Sequence, residues 1–222
     1  METERAREIP VLEAVLVMAV TFILVMFLGA IITLTLGVGP GLILSELLIL
    51  IVPLSYMLVK RVNIRSYIGV DVTSKLVLLG LASGFAVLAV DIFASGALTA
   101  IFGISKAMEE SNAIIASLSA SPMGLIAVIT ALSLAGICEE FAFRAFLQNA
   151  LNRRYSFIPA IIGSSVTFGL FHFDPQIVYI LAAVAAGLAL GYIYHRWNSY
   201  LVNAIAHTTV NLIVLLTLLL AI

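Results

Sequence analysis

Residues 133–149 read SLAGICEEFAFRAFLQN, an apolar run that carries Glu139, Glu140 and Arg144 at its centre. An ionisable side chain at mid-membrane costs about 2.5–3.5 kcal/mol even on the mildest insertion scale, and such groups face a bundle interior or a cavity. The surrounding chain makes a membrane the relevant solvent. Of its 222 residues 63% are hydrophobic and only 10% are charged, where a soluble domain carries about 25% charged residues. The mean hydropathy is +1.19. Nearly the whole sequence falls into apolar runs of the roughly 20 residues that a spanning helix needs. The short alternating segments of a membrane barrel are absent. The expected fold is all-α: a polytopic transmembrane helical bundle forming a single integral membrane domain over residues 1–222.

Working outward, Ser121-Pro122 supplies an N-cap and first helical position for the span that contains the opening stretch, and Asn152-Arg153-Arg154 stops it. Upstream, spans are predicted over residues 11–36, 42–59 and 76–103. Residues 105–121 alternate polar and apolar, as in an interfacial helix. Downstream, residues 157–173 make a fifth span. Asp174-Pro175 caps a sixth that runs to about Tyr194, and residues 200–222 form a seventh. Glu13 is expected to be solvated and Glu46 to cap the first turn of the second span. Asp91 lies near the middle of the third, where it is either functional or a buried carboxylate bonded to a Ser or Thr of a neighbouring helix.

With the N-terminus in the cytoplasm, Arg5, Arg7, Lys60, Arg61, Arg65, Lys75, Arg153, Arg154 and Arg196 all fall inside, and Lys106 alone falls outside. That is the asymmetry the positive-inside rule requires. A net charge of −1 gives no basic field for nucleic acid. The single cysteine, Cys138, excludes an intrachain disulfide. The first apolar run is too long for the core of a cleavable signal peptide and is read as a span.

Depth gathers the polar groups. At about 1.5 Å per helical residue, Glu139, His172, His207 and Asn211 lie roughly 12–22 Å from the basic ends of their helices. Residues four apart share a helix face, so Glu140 meets Arg144 and His207 accompanies Asn211, while Glu139 diverges from Glu140 by roughly 100°. Glu140 is therefore assigned to an ion pair with Arg144, and Glu139 to a cavity. A carboxylate in a low-dielectric site is a strong base towards water, and a neutral imidazole can share in deprotonating it. A second imidazole and a carboxamide can donate hydrogen bonds to an oxyanion. These residues suit a water-activating hydrolase. The alternatives are a proton-coupled transporter, structural polar packing between helices, and a zinc site of two His and one Glu. A thiol mechanism through Cys138 is disfavoured, because a buried cysteine is ordinarily inert. The metalloprotease motif H-E-x-x-H and the elbow G-x-S-x-G do not occur.

Three motifs in order, Glu139-Glu140-Phe141-Ala142-Phe143-Arg144, Phe168-Gly169-Leu170-Phe171-His172 and His207-Thr208-Thr209-Val210-Asn211, resemble those of the CPBP family of intramembrane proteases. That family includes type II CAAX prenyl endopeptidases and bacteriocin-immunity relatives. The resemblance covers residues 121–211, which it marks as the catalytic core. It implies that Glu139 and His172 activate water, that His207 and Asn211 form the oxyanion site, and that Phe168 shapes the wall. It implies no metal in the hydrolytic step, with zinc as the alternative. The implied substrate is a prenylated or other membrane-associated peptide within the lipid bilayer, cut near its C-terminus in a cavity open to the cytoplasm. Structurally known relatives have eight spans, against seven read here, and some act as immunity or scaffold proteins.

Overall fold

The computed structural model describes residues 8–69 and 72–221; Arg5, Arg7 and the last residue of the seventh predicted span lie outside them. The described residues form helices and no strands: α1 (Val11–Leu36), α2 (Val38–Val59), α3 (Ile64–Ile68), α4 (Ser74–Phe102), α5 (Lys106–Ser119), α6 (Pro122–Arg154), α7 (Phe157–Phe171), α8 (Val178–Trp197) and α9 (Tyr200–Leu220). This is the polytopic helical bundle that the composition predicts. Six of these helices are long and apolar enough to cross a membrane. α7, with 15 residues, is about 22 Å long, short of the ~30 Å hydrocarbon core.

The helix starts are written locally. Thr73, Ser105, Ser121 and Ser199 each accept a hydrogen bond from a backbone N–H one turn on, and Pro122 occupies the first turn of α6. These caps satisfy N–H groups that have no intrahelical partner. Gly37 ends α1 at φ 94°, in the left-handed region where glycine carries no steric cost. α5 is the amphipathic helix expected between the third and fourth spans, joined to α6 by Ala120 and Ser121.

α6 is the axis of the bundle, packed against α2 on one side and α9 on the other. At Gly136 an added Cβ would strike the side chain and backbone of Thr208, so the small residue sets how closely α6 and α9 approach. α4 packs along α9 and α8, and α7 lies against α8. The main apolar core gathers around Phe143, Phe146, Leu147 and Met57, all buried.

Four local expectations are corrected. α2 starts at Val38, four residues before the predicted start, because Pro40 sits in the first turn, where no N–H is needed. Glu46 therefore lies beyond the second turn and cannot cap the helix. α8 starts at Val178 instead of Pro175, because Ile177 adopts φ 67° and breaks the helix there. Asp174 caps it across the loop, accepting from the backbone N–H of Gln176 and Tyr179 and from the hydroxyl of Ser105. Glu13 keeps a solvated side chain, as expected, and lies 2.6 Å from Lys60 Nζ while accepting from the Tyr56 hydroxyl. Finally, Glu140–Gln148 is π-helical within α6, where the spacing predicts uninterrupted α-helix. Side chains pin that wider turn: Gln148 donates to Gly191 O, and Asn149 donates to Tyr67 O and the Tyr194 hydroxyl. Wide turns of this kind are frequent at functional sites.

The basic residues collect at one end. Lys60 meets Glu13 at the start of α1, Arg153 stacks on Tyr67 of α3 at 4.5 Å, and Arg65, Lys75 and Trp197 line one groove. Lys106 starts α5 at the other end.

Candidate active site at the centre of the bundle

Glu140 is the hub. Fully buried, it forms an ion pair with Arg144 at 3.1 Å, as the four-residue spacing predicts. Its other contacts come from α9: Oε1 lies 2.9 Å from His207 Nδ1, and Oε2 accepts from Asn203 Nδ2 at 3.0 Å. A charge taken out of water is tolerated only when paired and hydrogen-bonded, and both conditions are met here. Arg144 in turn donates to Gly187 O and lies over the Phe168 ring at 4.4 Å from its centroid. Phe168 is thus a platform for the guanidinium as well as a wall. Its ring also meets those of His172 at 4.7 Å and His207 at 5.8 Å.

Those partners fix both histidines. His172 ends α7, and its Nδ1 lies 3.0 Å from Phe168 O. A carbonyl only accepts, so Nδ1 carries the proton and Nε2 keeps a lone pair. His207 Nδ1 likewise faces a carboxylate and donates to it. Its Nε2 then faces the second carboxylate, Glu139 Oε2, at 3.6 Å, just beyond hydrogen-bond reach. The ring that contacts Glu139 is therefore that of His207. Asn211, one turn further along α9, donates to Leu132 O and keeps a second amide hydrogen.

His172, His207, Asn211 and Phe168 line one cavity of about 190 Å³ together with Asp91, Ser95 and Tyr179, whose ring lies edge-on to that of His172 at 5.3 Å. Glu139, which the helical phase assigned to a cavity, is 8% exposed and is not among the residues lining this one; it meets the cavity wall only at His207. Asp91 interacts with Ser95 on its own helix, whereas the sequence pointed to a neighbouring one. Glu46 points towards this centre from α2, close enough for its charge to interact with Glu139, and its Oε2 is buried without a hydrogen-bond partner among the described residues. Cys138 is buried with a free thiol. No three His, Cys, Asp or Glu side chains among the described residues converge to hold a metal ion.

Asn203 was missed by the motif reading. The pattern Asn203, His207, Asn211 has the four-residue spacing that puts all three on one face of α9, and this was the signal that could have found it. Gln148, buried and bonded to Gly191 and Ser164, carried no comparable signal.

The protein is thus a helical membrane bundle with a cluster of buried glutamate, histidine and asparagine side chains at its centre. Comparison with known proteins gives it relatives. Residues 119–213 match the family described as type II CAAX prenyl endopeptidase Rce1-like, the stretch that carries all three motifs. The chain is also 32% identical over 117 residues to the Bacillus subtilis (strain 168) protein described as "Putative membrane peptidase YdiL". That alignment covers 52% of this chain, which spans about half, 46%, of the relative's length. No solved structure matches.

Proposed function

We propose that the chain is an intramembrane endopeptidase that uses activated water. The observation that carries this reading is the convergence of Glu139 and Glu140 on the two nitrogens of His207, beside a cavity that His172 and Asn211 also line. Glu139 takes a proton from water as the water oxygen bonds to the scissile carbonyl carbon. The lone pair on His172 Nε2 orients the same water. The amide hydrogen of Asn211, and the Nε2 proton of His207 when both ring nitrogens are protonated, stabilise the oxyanion. As the C–N bond breaks, Glu139 returns its proton to the leaving amine. Glu140 and Arg144 hold the framework.

The substrate class is a membrane-embedded peptide, and a prenylated C-terminus of the CAAX type is the form that the matching family description names. No metal takes part in this route. The test is cleavage of a farnesylated CAAX peptide by the purified protein in detergent, with the cut mapped by mass spectrometry and repeated in EDTA or phenanthroline. A single cut upstream of the last three residues, unchanged by chelator, supports the reading. Loss of cleavage in chelator, with recovery on adding zinc, replaces it with a metalloprotease. A pH-dependent flux in proteoliposomes without cleavage replaces it with a transporter.

A further inference from the structure

The end of the bundle that collects the basic residues also holds an open groove of about 1020 Å³, walled by α3, the start of α4 and the end of α8. α4 has 29 residues, so at about 43 Å it outruns the ~30 Å hydrocarbon core by about two turns. Its first turn therefore stands in the headgroup layer, and Trp197, on the α8 wall, is the ring type that settles at that level. Two exposed cations line the groove, Arg65 of α3 and Lys75 of α4. Neither has an ion-pair partner among the described residues, and no acidic residue is among those that form the walls. A third cation stands beside them, the Arg196 guanidinium over the Trp197 ring at 4.6 Å. The backbone adds to this field. Thr73 accepts from the Leu76 N–H, but the N–H groups of the residues just before it have no intrahelical partner, and a helix start favours an anion. Beneath the cations the wall turns apolar: Leu76 and Leu79 share one face of α4 and carry it from Lys75 towards the hydrocarbon.

We infer that this groove binds an anionic phospholipid, with the phosphate between Arg65 and Lys75 and the upper part of an acyl chain along Leu76 and Leu79. A soluble anion would use only the cationic rim, whereas an amphiphile uses both halves of the groove. Arg65 offers a fork of N–H groups to the phosphate and Lys75 a compact charge. The lipid site is distinct from the central cavity and does not depend on the peptidase reading. It nevertheless bears on the centre of the bundle through α3. That helix is tied to α6 where Asn149 donates to Tyr67 O, and to α8 where the Tyr194 hydroxyl donates to Ile68 O. Just past its end, a Cβ on Gly69 would stand 2.8 Å from Asn198 O, so the chain there lies directly on the end of α8. A lipid bridging α3 to α4 clamps this arrangement, and a ligand that binds the folded chain alone raises its stability.

The test is thermal unfolding of the purified full-length protein in neutral detergent, titrated with phosphatidylglycerol or with phosphatidylcholine of the same acyl chains. The wild type should show a saturable rise in Tm with phosphatidylglycerol and none with phosphatidylcholine. In the double variant Arg65→Gln with Lys75→Gln, the half-saturating concentration should rise about 30-fold, the change expected for two basic contacts. Arg154→Gln removes an exposed cation at the same end but outside the groove, and should titrate like the wild type. Lys75→Glu, a single exposed change that decides the matter if the double variant does not fold, should abolish the response. Equal stabilisation by the two lipids, or by inorganic phosphate at the same concentration, overturns the inference. A wild-type titration curve in the double variant or in Lys75→Glu does the same. No substrate enters the measurement, so its outcome is separate from whether the protein cleaves a peptide.

Discussion

His207 Nδ1 lies 2.9 Å from Glu140 Oε1, so the glutamate expected only to pair with Arg144 also fixes the ring that faces Glu139. One buried carboxylate thereby sets the orientation of an imidazole and neutralises a guanidinium. Such a doubly used group makes the site sensitive to changes that never touch substrate.

Glu140→Ala should be among the most damaging substitutions in the chain. It leaves the Arg144 charge buried without a counter-ion, a loss of about 3–5 kcal/mol. Thermal unfolding in detergent should show a large fall in Tm. The double variant Glu140→Leu with Arg144→Leu should be more stable than Glu140→Ala, because no lone charge remains. If the double variant is the worse of the two, the charge pairing is not what holds this centre.

Asn203→Ala removes a donor to Glu140 and to Leu190 O. A lost hydrogen bond to a charged group costs about 1.5–3 kcal/mol, and Glu140 becomes free to shift, taking the His207 ring with it. Activity should fall together with Tm, and Asn203→Asp, which sets a second carboxyl against Glu140, should fall further.

Asn211→Ala should separate binding from chemistry. Removing an oxyanion donor typically lowers kcat by about 10² to 10³, and the side chain's bond to Leu132 O is a single half-buried contact. KM for a farnesylated peptide should change little. A variant that loses affinity and keeps kcat would place Asn211 in substrate binding.

Asp174 gives the fold a pH dependence outside the spans. Burial alone would raise its carboxyl, but the N–H groups of Tyr179 and Gln176 and the Ser105 hydroxyl outweigh burial and hold it below the ordinary carboxylate range. A carboxyl held lower in the folded state stabilises above its unfolded value of about 3.9 and loses that contribution as pH falls through the folded value. Unfolding measured from neutral pH down should therefore show an acid-side loss in the wild type that is smaller in Asp174→Asn.

The sequence made the bundle legible because hydrocarbon imposes long apolar runs, and the caps Ser121 and Ser199 are local signals. The pair Glu140 and Arg144 was legible from spacing alone. What spacing could not give was the partner of each remaining group. Placing His207 with Asn211 as a unit was right in face, yet the contact from His207 to the two glutamates depends on how closely α6 and α9 approach at Gly136. The π-helical turn was hidden, and the side-chain bonds found at its end, from Gln148 and Asn149, run to residues 43 to 82 positions away, beyond the reach of local spacing. The start of α8 was misplaced because Asp174-Pro175 looks like a cap while Ile177, with nothing unusual in its sequence, carries the left-handed turn.

The proposed role of Glu139 as the base is open to one direct measurement. The direct measurement is the initial rate of farnesylated CAAX peptide cleavage by purified wild type and Glu139→Gln at matched stability. Cleavage by the wild type and none detectable by Glu139→Gln, with peptide binding retained, is the expected result. Equal rates for the two proteins would contradict it.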